Sequence, residues 1–137
     1  MKKKIWISIG AVLCVIIVLA IFVFTKSYWV SRGDSFVPYS GAADLYNASR
    51  EELIELDLCD YKESFGEVKS AKQAAEIAAK VVKEVYENDE YPYIVKYNEN
   101  ADAWIVHGTV LTFLNGGVAS VSIDKDTGEI LMLIHTK

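Results

Sequence analysis

His107 and His135 are the only imidazoles in the 137-residue chain, and imidazole is the side chain most often used for general acid-base catalysis. Neither histidine lies in a recognisable catalytic motif. His107 falls on the strand face opposite Trp104 and Val106, a position typical of a packed or sheet-surface histidine. His135 stands beside the C-terminus, where fraying would defeat the positioning that catalysis requires. We therefore expect a protein that is not an enzyme.

Metal ligands are equally sparse. Zinc would require several closely spaced histidines or cysteines, and the sequence has no such group. The segment from Asp124 to Glu129 resembles the start of a calcium loop, but Gly128 comes one residue early and Thr127 replaces the third ligand. Gly116 and Gly117 are followed by neither a helix start nor a lysine, so they do not indicate a phosphate site. No metal, cofactor or small-molecule substrate is expected.

The residues that remain as candidates for binding a partner protein are Trp104, His107, Gly116 and Gly117. Tryptophan is common in binding hot spots, yet a tryptophan on an alternating strand that faces an alanine-rich helix is typical of a core. The two glycines indicate a bend that returns the last hairpin to the sheet. Cys59 is flanked by Asp57 and Asp60, an environment that favours a packed thiol over a reactive one.

Two helices should position these residues. Ser70 and Gln73 form a capping-box pattern at the start of a helix, and small apolar residues recur there at three- and four-residue steps. The members of this stripe are Ala71, Ala74, Ala75, Ala78, Val82 and Val85. A second capping box, Ser49 to Glu52, predicts a shorter helix from Arg50 to about Leu58, with one apolar side formed by Leu53, Ile54 and Leu58.

After the longer helix, Pro92 prevents helix continuation and alternating segments predict strands. The predicted strands are Tyr93 to Tyr97, Ala103 to Thr109, Val118 to Asp124, and Glu129 to Ile134. In the third, serines alternate with apolar residues, which predicts one face in water. Lys125 to Gly128 predicts a hairpin turn. The fold class is therefore α+β: within residues 48–137, a helix packs on a four-stranded, mainly antiparallel, curved sheet.

The N-terminal region predicts a membrane anchor. Ile5 to Phe24 is an uncharged run of 20 residues, the length of a transmembrane helix. Lys2, Lys3 and Lys4 precede it and predict a cytoplasmic tail at residues 1–4 and an extracytoplasmic domain. A cleaved signal peptide and a lipoprotein at Cys14 are alternatives, but no cleavage site for either follows the usual pattern. Residues 25–47 are predicted to be a juxtamembrane linker in which Tyr28 and Trp29 fit an interfacial aromatic belt.

The charge balance excludes one class of partner. After the apolar run the chain has 11 basic and 19 acidic side chains, a balance of about eight negative charges. Nucleic acid is therefore not an expected partner, because phosphate binding needs a basic surface. An acidic domain is compatible with a cationic protein partner, although such a balance can also serve solubility alone.

Residues from about Val68 to Lys137 resemble the bacterial immunity proteins that have a nuclear transport factor 2-like fold. The resemblance rests on an ordered set of segments: Val85-Tyr86 at a helix end, Pro92-Tyr93, Trp104 to Thr109, Gly116 to Val118, Ile123 to Ile130, and Lys137. The family pattern has a glycine where this chain has Glu87, and it has no membrane anchor.

This resemblance implies a protein that binds and neutralises a cognate toxin and has no catalytic residues. If the domain lies outside the cytoplasm, the toxin should act in the envelope or be captured while crossing it. The segment from Asp124 to Ile130 is also similar to the end of a PepSY-like domain, an extracytoplasmic module associated with the regulation of peptidases. The two alternatives predict different partners, a toxin domain for one and a peptidase or an envelope-assembly protein for the other.

Overall fold

The computed structural model describes residues 2–25, 28–30, 45–87, 92–108 and 117–135. The helices are α1 at Lys2–Thr25, α2 at Arg50–Leu56 and α3 at Ala71–Tyr86. The strands are β1 at Tyr28–Val30, β2 at Tyr93–Asn98, β3 at Ala103–His107, β4 at Ala119–Asp124 and β5 at Ile130–His135. Most of the predicted linker, and the predictions for Thr109 and Lys137, fall outside the described residues.

The first helix, α1, has exposed side chains at residues 9–22. Over the part of the chain that the structure describes, no helix combines the length and the apolar character that a membrane crossing needs. The transmembrane helix predicted for Ile5 to Phe24 is therefore not supported.

The sheet has five strands in the order β1-β2-β3-β4-β5. Neighbouring strands from β2 to β5 pair antiparallel, as predicted, but β1 pairs parallel with β2 and places Tyr28 beside Tyr93. The predicted count of four strands is therefore wrong, and the sheet is mixed. A three-residue strand is too short to show a period of two, so its sequence alone gives little indication of it.

Helix α3 covers one face of the sheet, as its alanine stripe predicts. The Ser70 side chain accepts a hydrogen bond from the Gln73 backbone amide and caps the helix. The Gln73 side chain accepts from the Lys69 amide at 2.7 Å rather than from Ser70, which shifts the predicted capping box by one residue. Small buried side chains of the helix, such as Ala74 and Ala78, pack on the strands.

The opposite face of the sheet is covered as well. All six residues of β4 are buried, including Ser120 and Ser122. The exposed face predicted for Val118 to Asp124 is therefore wrong, because residues distant in sequence cover it. The residues buried in this second core are Leu45, Tyr46, Leu53, Ala101, Ala103, Ile105, Leu131 and Met132.

The turn between β4 and β5 is the plain turn that the sequence predicts. One carboxylate oxygen of Asp124, Oδ1, accepts hydrogen bonds from the Asp126 amide at 2.9 Å and from the Thr127 amide at 2.7 Å. Gly128 has a φ of +68° and lies against the backbone of Phe65 and Gly66. Its missing side chain lets residues 64–68 pair with the turn, so this segment adds an irregular border to the sheet.

Candidate functional site

Trp104, the first predicted binding residue, is half-buried on the face of the sheet that α3 covers. Its indole N–H donates to the Val68 carbonyl oxygen at 3.0 Å. Its ring meets Tyr97 in a T-shaped contact with 5.1 Å between centroids. The ring is therefore held in place on the α3 side, and its only polar group is used within the domain.

His107 lies on the other face and is fully buried. Its Nδ1 is 2.7 Å from the Ser120 hydroxyl oxygen, and Tyr46 packs edge-on at 5.2 Å. Lys96 places its ammonium 4.6 Å above the Tyr46 ring. Burial lowers the pKa of His107 from 6.5 to about 4, so the imidazole is neutral at pH 7. Of the two positions that the sequence allows for His107, packed or on the sheet surface, the structure shows the packed one.

The described residues do not bring the predicted set together in one surface. Gly117 is buried, and Gly116 lies outside the described residues. Trp104 and His107 face opposite cores, separated by the sheet. The predicted set is thus spread over both sides of the fold.

An open groove lies beside α2 on the Tyr46 side of the sheet. Its volume is about 560 Å³, and we call it the α2 groove. The residues that line it are Leu45, Asn47, Ala48, Glu52, Glu55 and Leu56. The lining thus combines the apolar side chains of Leu45, Ala48 and Leu56 with the exposed carboxylates of Glu52 and Glu55. Sequence analysis did not identify this feature.

One buried side chain builds the wall of the groove. Asn98, at the end of β2, donates from Nδ2 to the carbonyl oxygens of Leu45 at 2.8 Å and Ala48 at 2.9 Å. Its Oδ1 accepts from the amides of Asn100 at 2.9 Å and Ala101 at 3.1 Å. The hydrogen bonds of the Asn98 side chain therefore connect the segment before α2 to the β2–β3 turn. In the sequence, the asparagine at the end of a predicted strand is the only signal of this connection between the two segments.

Helix α2 itself is fixed to the sheet at both ends. At its start, the Arg50 guanidinium pairs with the Asp124 carboxylate. Burial opposes ionisation of Asp124, but hydrogen bonds from Arg50 and Thr127 outweigh it and lower the pKa of this carboxyl. At its end, Asp57 Oδ1 accepts from the Leu133 amide of β5 at 2.8 Å. These contacts fix both ends of α2 to strands of the sheet.

The outer side of α2 leaves both apolar and acidic groups in solvent. The capping box at Ser49 and Glu52 is confirmed, although the helix ends at Leu56. Of the predicted apolar side only Leu53 is buried: Ile54 is 51% exposed and Leu58 79% exposed. Leu58 lies beyond the end of the helix, and Ile54 is one residue, about 100° around the helix, from the buried Leu53, so the predicted apolar side does not form one packed face.

The acidic groups of α2 differ from those around α3. On α3, Lys80 pairs with Glu63 at 2.8 Å and with Glu84 at 4.0 Å. The Tyr61 hydroxyl lies within hydrogen-bond distance of both carboxylates, and burial together with these two neighbours raises its pKa. By contrast, neither Glu51 nor Glu55 has a hydrogen-bond or ion-pair partner among the described residues. The exposed negative charge of α2 is therefore available to an external cation.

Metal and thiol chemistry find little support in the described residues. Within them, no three His, Cys, Asp or Glu side chains are grouped to hold a metal ion. Cys59 is half-buried, with its Sγ 3.1 Å from the Tyr86 hydroxyl oxygen and its side chain against the α3 core. This placement agrees with the packed thiol that the sequence predicts.

Comparison with known proteins supports one family. Residues 73–137 match the model of a family described as NTF2 fold immunity protein. The resemblance predicted from the sequence is confirmed over these residues, which include α3 and strands β2 to β5. No curated protein and no solved structure gives a significant match. Helix α2 and the residues of the α2 groove precede the matched segment in sequence. They contact it through Asp124 and Leu133.

Proposed function

We propose that this chain, whose residues 73–137 match the NTF2 fold immunity family, is a non-catalytic immunity protein that binds and neutralises a cognate bacterial toxin. The family match is the observation that carries the proposal.

Neutralisation would occur by occlusion, in which a preformed surface covers the functional surface of the toxin. The surface is not a bare sheet face, because cores cover both faces of the sheet. Helices and connections must supply the contact instead. Helix α2 is the described element that exposes unpaired acidic groups together with large apolar side chains, which is the composition that suits a protein interface.

Co-expression tests the proposal. The candidate toxin, a multidomain secreted protein encoded beside this chain, is induced in a sensitive host with and without the full-length protein. We expect growth only when both are present, together with a complex that survives affinity purification. Growth arrest in both cultures would contradict the proposal. Recovery of a peptidase in place of the toxin would favour the PepSY-like alternative.

The location of the domain is a separate proposal. Lys2, Lys3 and Lys4 form the first turn of α1, and on the basis of this charge pattern we place the N-terminus in the cytoplasm and the domain of residues 48–137 outside the cell membrane. Protease treatment of intact cells tests this directly. A C-terminal tag should be removed without lysis, while a cytoplasmic marker protein stays intact. A tag that is cleaved only after lysis would refute the location and leave the toxin-binding proposal standing.

A further inference from the structure

We infer that the α2 groove receives a basic side chain of the toxin, an arginine or a lysine. The aliphatic part of that side chain lies against the apolar lining residues Leu45, Ala48 and Leu56, and its charged end meets Glu55. This inference rests on the proposed function and names the chemistry of the partner.

The shape and chemistry of the groove favour this occupant. Long basic side chains have an apolar stem and a charged end, and they bury the stem while the charge stays near water or a carboxylate. The lining of the α2 groove offers both kinds of surface, apolar side chains and exposed carboxylates. Glu52 already accepts from the Ser49 amide at 2.7 Å. Glu55 has no such partner among the described residues and is therefore the principal acceptor.

The surrounding charge favours a cation over an anion. Residues 50–60 contain five acidic side chains and one basic side chain. That single base, Arg50, is already paired with Asp124. An approaching arginine or lysine meets no competing cation from this segment, whereas an acidic partner would be repelled. Such electrostatic complementarity contributes more to binding specificity and to the association rate than to affinity.

A second copy of this chain is a poorer occupant. The chain has a net charge of −5, so two copies repel each other at long range. Several lysines that could enter a groove are engaged in ion pairs of their own, namely Lys62, Lys69, Lys72, Lys80 and Lys125. The rigid anchoring of the groove by Asn98 and Asp57 also suits a preformed site, which binds without a large ordering cost.

A peptide titration tests the groove directly. The full-length protein, labelled with ¹⁵N in mild detergent, is titrated with acetyl-Ala-Arg-Ala-amide and, separately, with the same peptide carrying norleucine. We expect saturable shifts at Ala48, Glu55 and Leu56 with arginine only. Glu55→Gln should weaken binding about fivefold, the range for one exposed ion pair. Equal shifts with norleucine, or unchanged binding by the variant, would overturn the inference.

Glu76→Gln is the matched control. Glu76 lies on α3, across the sheet from the groove, and its pairing with Lys72 at 3.9 Å is exposed. This variant removes the same charge with the same change in volume, so arginine binding at the groove should be unchanged. An equal loss in both variants would show a general charge effect and overturn the inference.

Protection in cells separates this inference from the proposed function. In the co-expression assay, Glu55→Lys should reduce toxin affinity roughly a hundredfold, because like charges then meet across the interface, whereas Glu76→Lys should still protect. Glu55 is exposed, so an unchanged circular dichroism spectrum and unfolding midpoint should accompany the loss. If wild type fails to protect, the proposed function fails. If wild type and Glu55→Lys protect equally, the groove is not the site. If the wild-type protein self-associates and Glu55→Lys abolishes that association, the groove binds a second copy of the chain. That result would also overturn the inference.

Discussion

Acidification from pH 7.5 to pH 5 should destabilise the domain through one buried imidazole. His107 is fully buried, and its pKa falls from 6.5 to about 4 in the folded state. The unfolded chain therefore binds a proton between these two values while the folded chain does not. A group whose pKa is depressed by folding contributes stability above its unfolded pKa and loses it as the pH falls.

The magnitude follows from the two pKa values. At pH 7.5 both states are almost entirely deprotonated, so the imidazole has almost no effect. At pH 5 the unfolded imidazole is mostly protonated and the folded one is mostly neutral, which lowers the free energy of unfolding by about 2 kcal/mol. The full loss below pH 4 is about 3 kcal/mol. Asp124 does not contribute in this window, because its folded pKa is lowered from 3.8 and its stabilisation is lost only at more acidic pH.

Urea unfolding of the full-length chain in mild detergent measures the effect, with tryptophan fluorescence as the signal and pH 7.5, 6 and 5 as the conditions. His107→Gln should unfold at lower urea than wild type at pH 7.5, but its stability should then change little down to pH 5. The matched control His135→Gln keeps the buried imidazole, so it should keep the steep pH dependence of wild type.

Two results would refute the reasoning. The first is a His107→Gln variant that loses stability with falling pH as steeply as wild type does. The second is an NMR titration in which the His107 ring protonates in the folded protein near pH 6.5. Either result would mean that burial does not keep this imidazole neutral, and that the second core is more hydrated than the contacts of Tyr46 and Ser120 indicate.

Three further substitutions test the packing, and urea unfolding measures each of them. Glu87 ends α3 with a φ of 57°, so Glu87→Gly should stabilise the domain by about 0.5–1 kcal/mol, whereas Glu87→Ala should give no such gain; an equal gain from alanine would contradict the backbone argument. A side chain at Gly128 would meet the Gly66 carbonyl oxygen at 2.3 Å, so Gly128→Ala should cost about 3 kcal/mol, against about 1 kcal/mol for Gly66→Ala, where only the positive φ matters; similar costs would refute the close approach. Asn98→Ala should cost about 2–4 kcal/mol and speed amide exchange at residues 45–48, because the carbonyl oxygens there lose their donor; unchanged exchange would show that Asn98 does not hold the groove wall.

The sequence predicts the parts of this fold whose signals are local. The α3 stripe repeats over sixteen residues and the capping serines immediately precede their helices, so both helix starts are confirmed. The strands from β2 to β5 alternate or lie between turn residues, and their positions are confirmed within a few residues. The glycine expected at Glu87 also has a physical basis, since the backbone there is left-handed.

The errors arise where distant segments meet. Ser120 and Ser122 alternate with apolar residues in a way typical of an exposed face, but residues 45–53 bury them. The sequence of β4 contains no local pattern that indicates its burial by these distant residues. The α2 groove was missed for the same reason, because its wall depends on hydrogen bonds from Asn98 to carbonyl oxygens far earlier in the chain. Trp104 packs beneath α3 and His107 lies on the opposite face of the sheet, and their role in binding a partner stays a prediction.

Helix α2 has positions that hold it to the sheet and positions that face solvent. The family match covers α3 and the strands from β2 to β5, while the groove residues all lie at positions 45–56, before the match. The outward positions Glu51 and Glu55 make no contact that the sheet requires, so substitution there should cost little stability. Arg50, Leu53 and Asp57 face the sheet and fix the helix to it. Outward positions of α2 can therefore change while the contacts that hold the helix in place are retained.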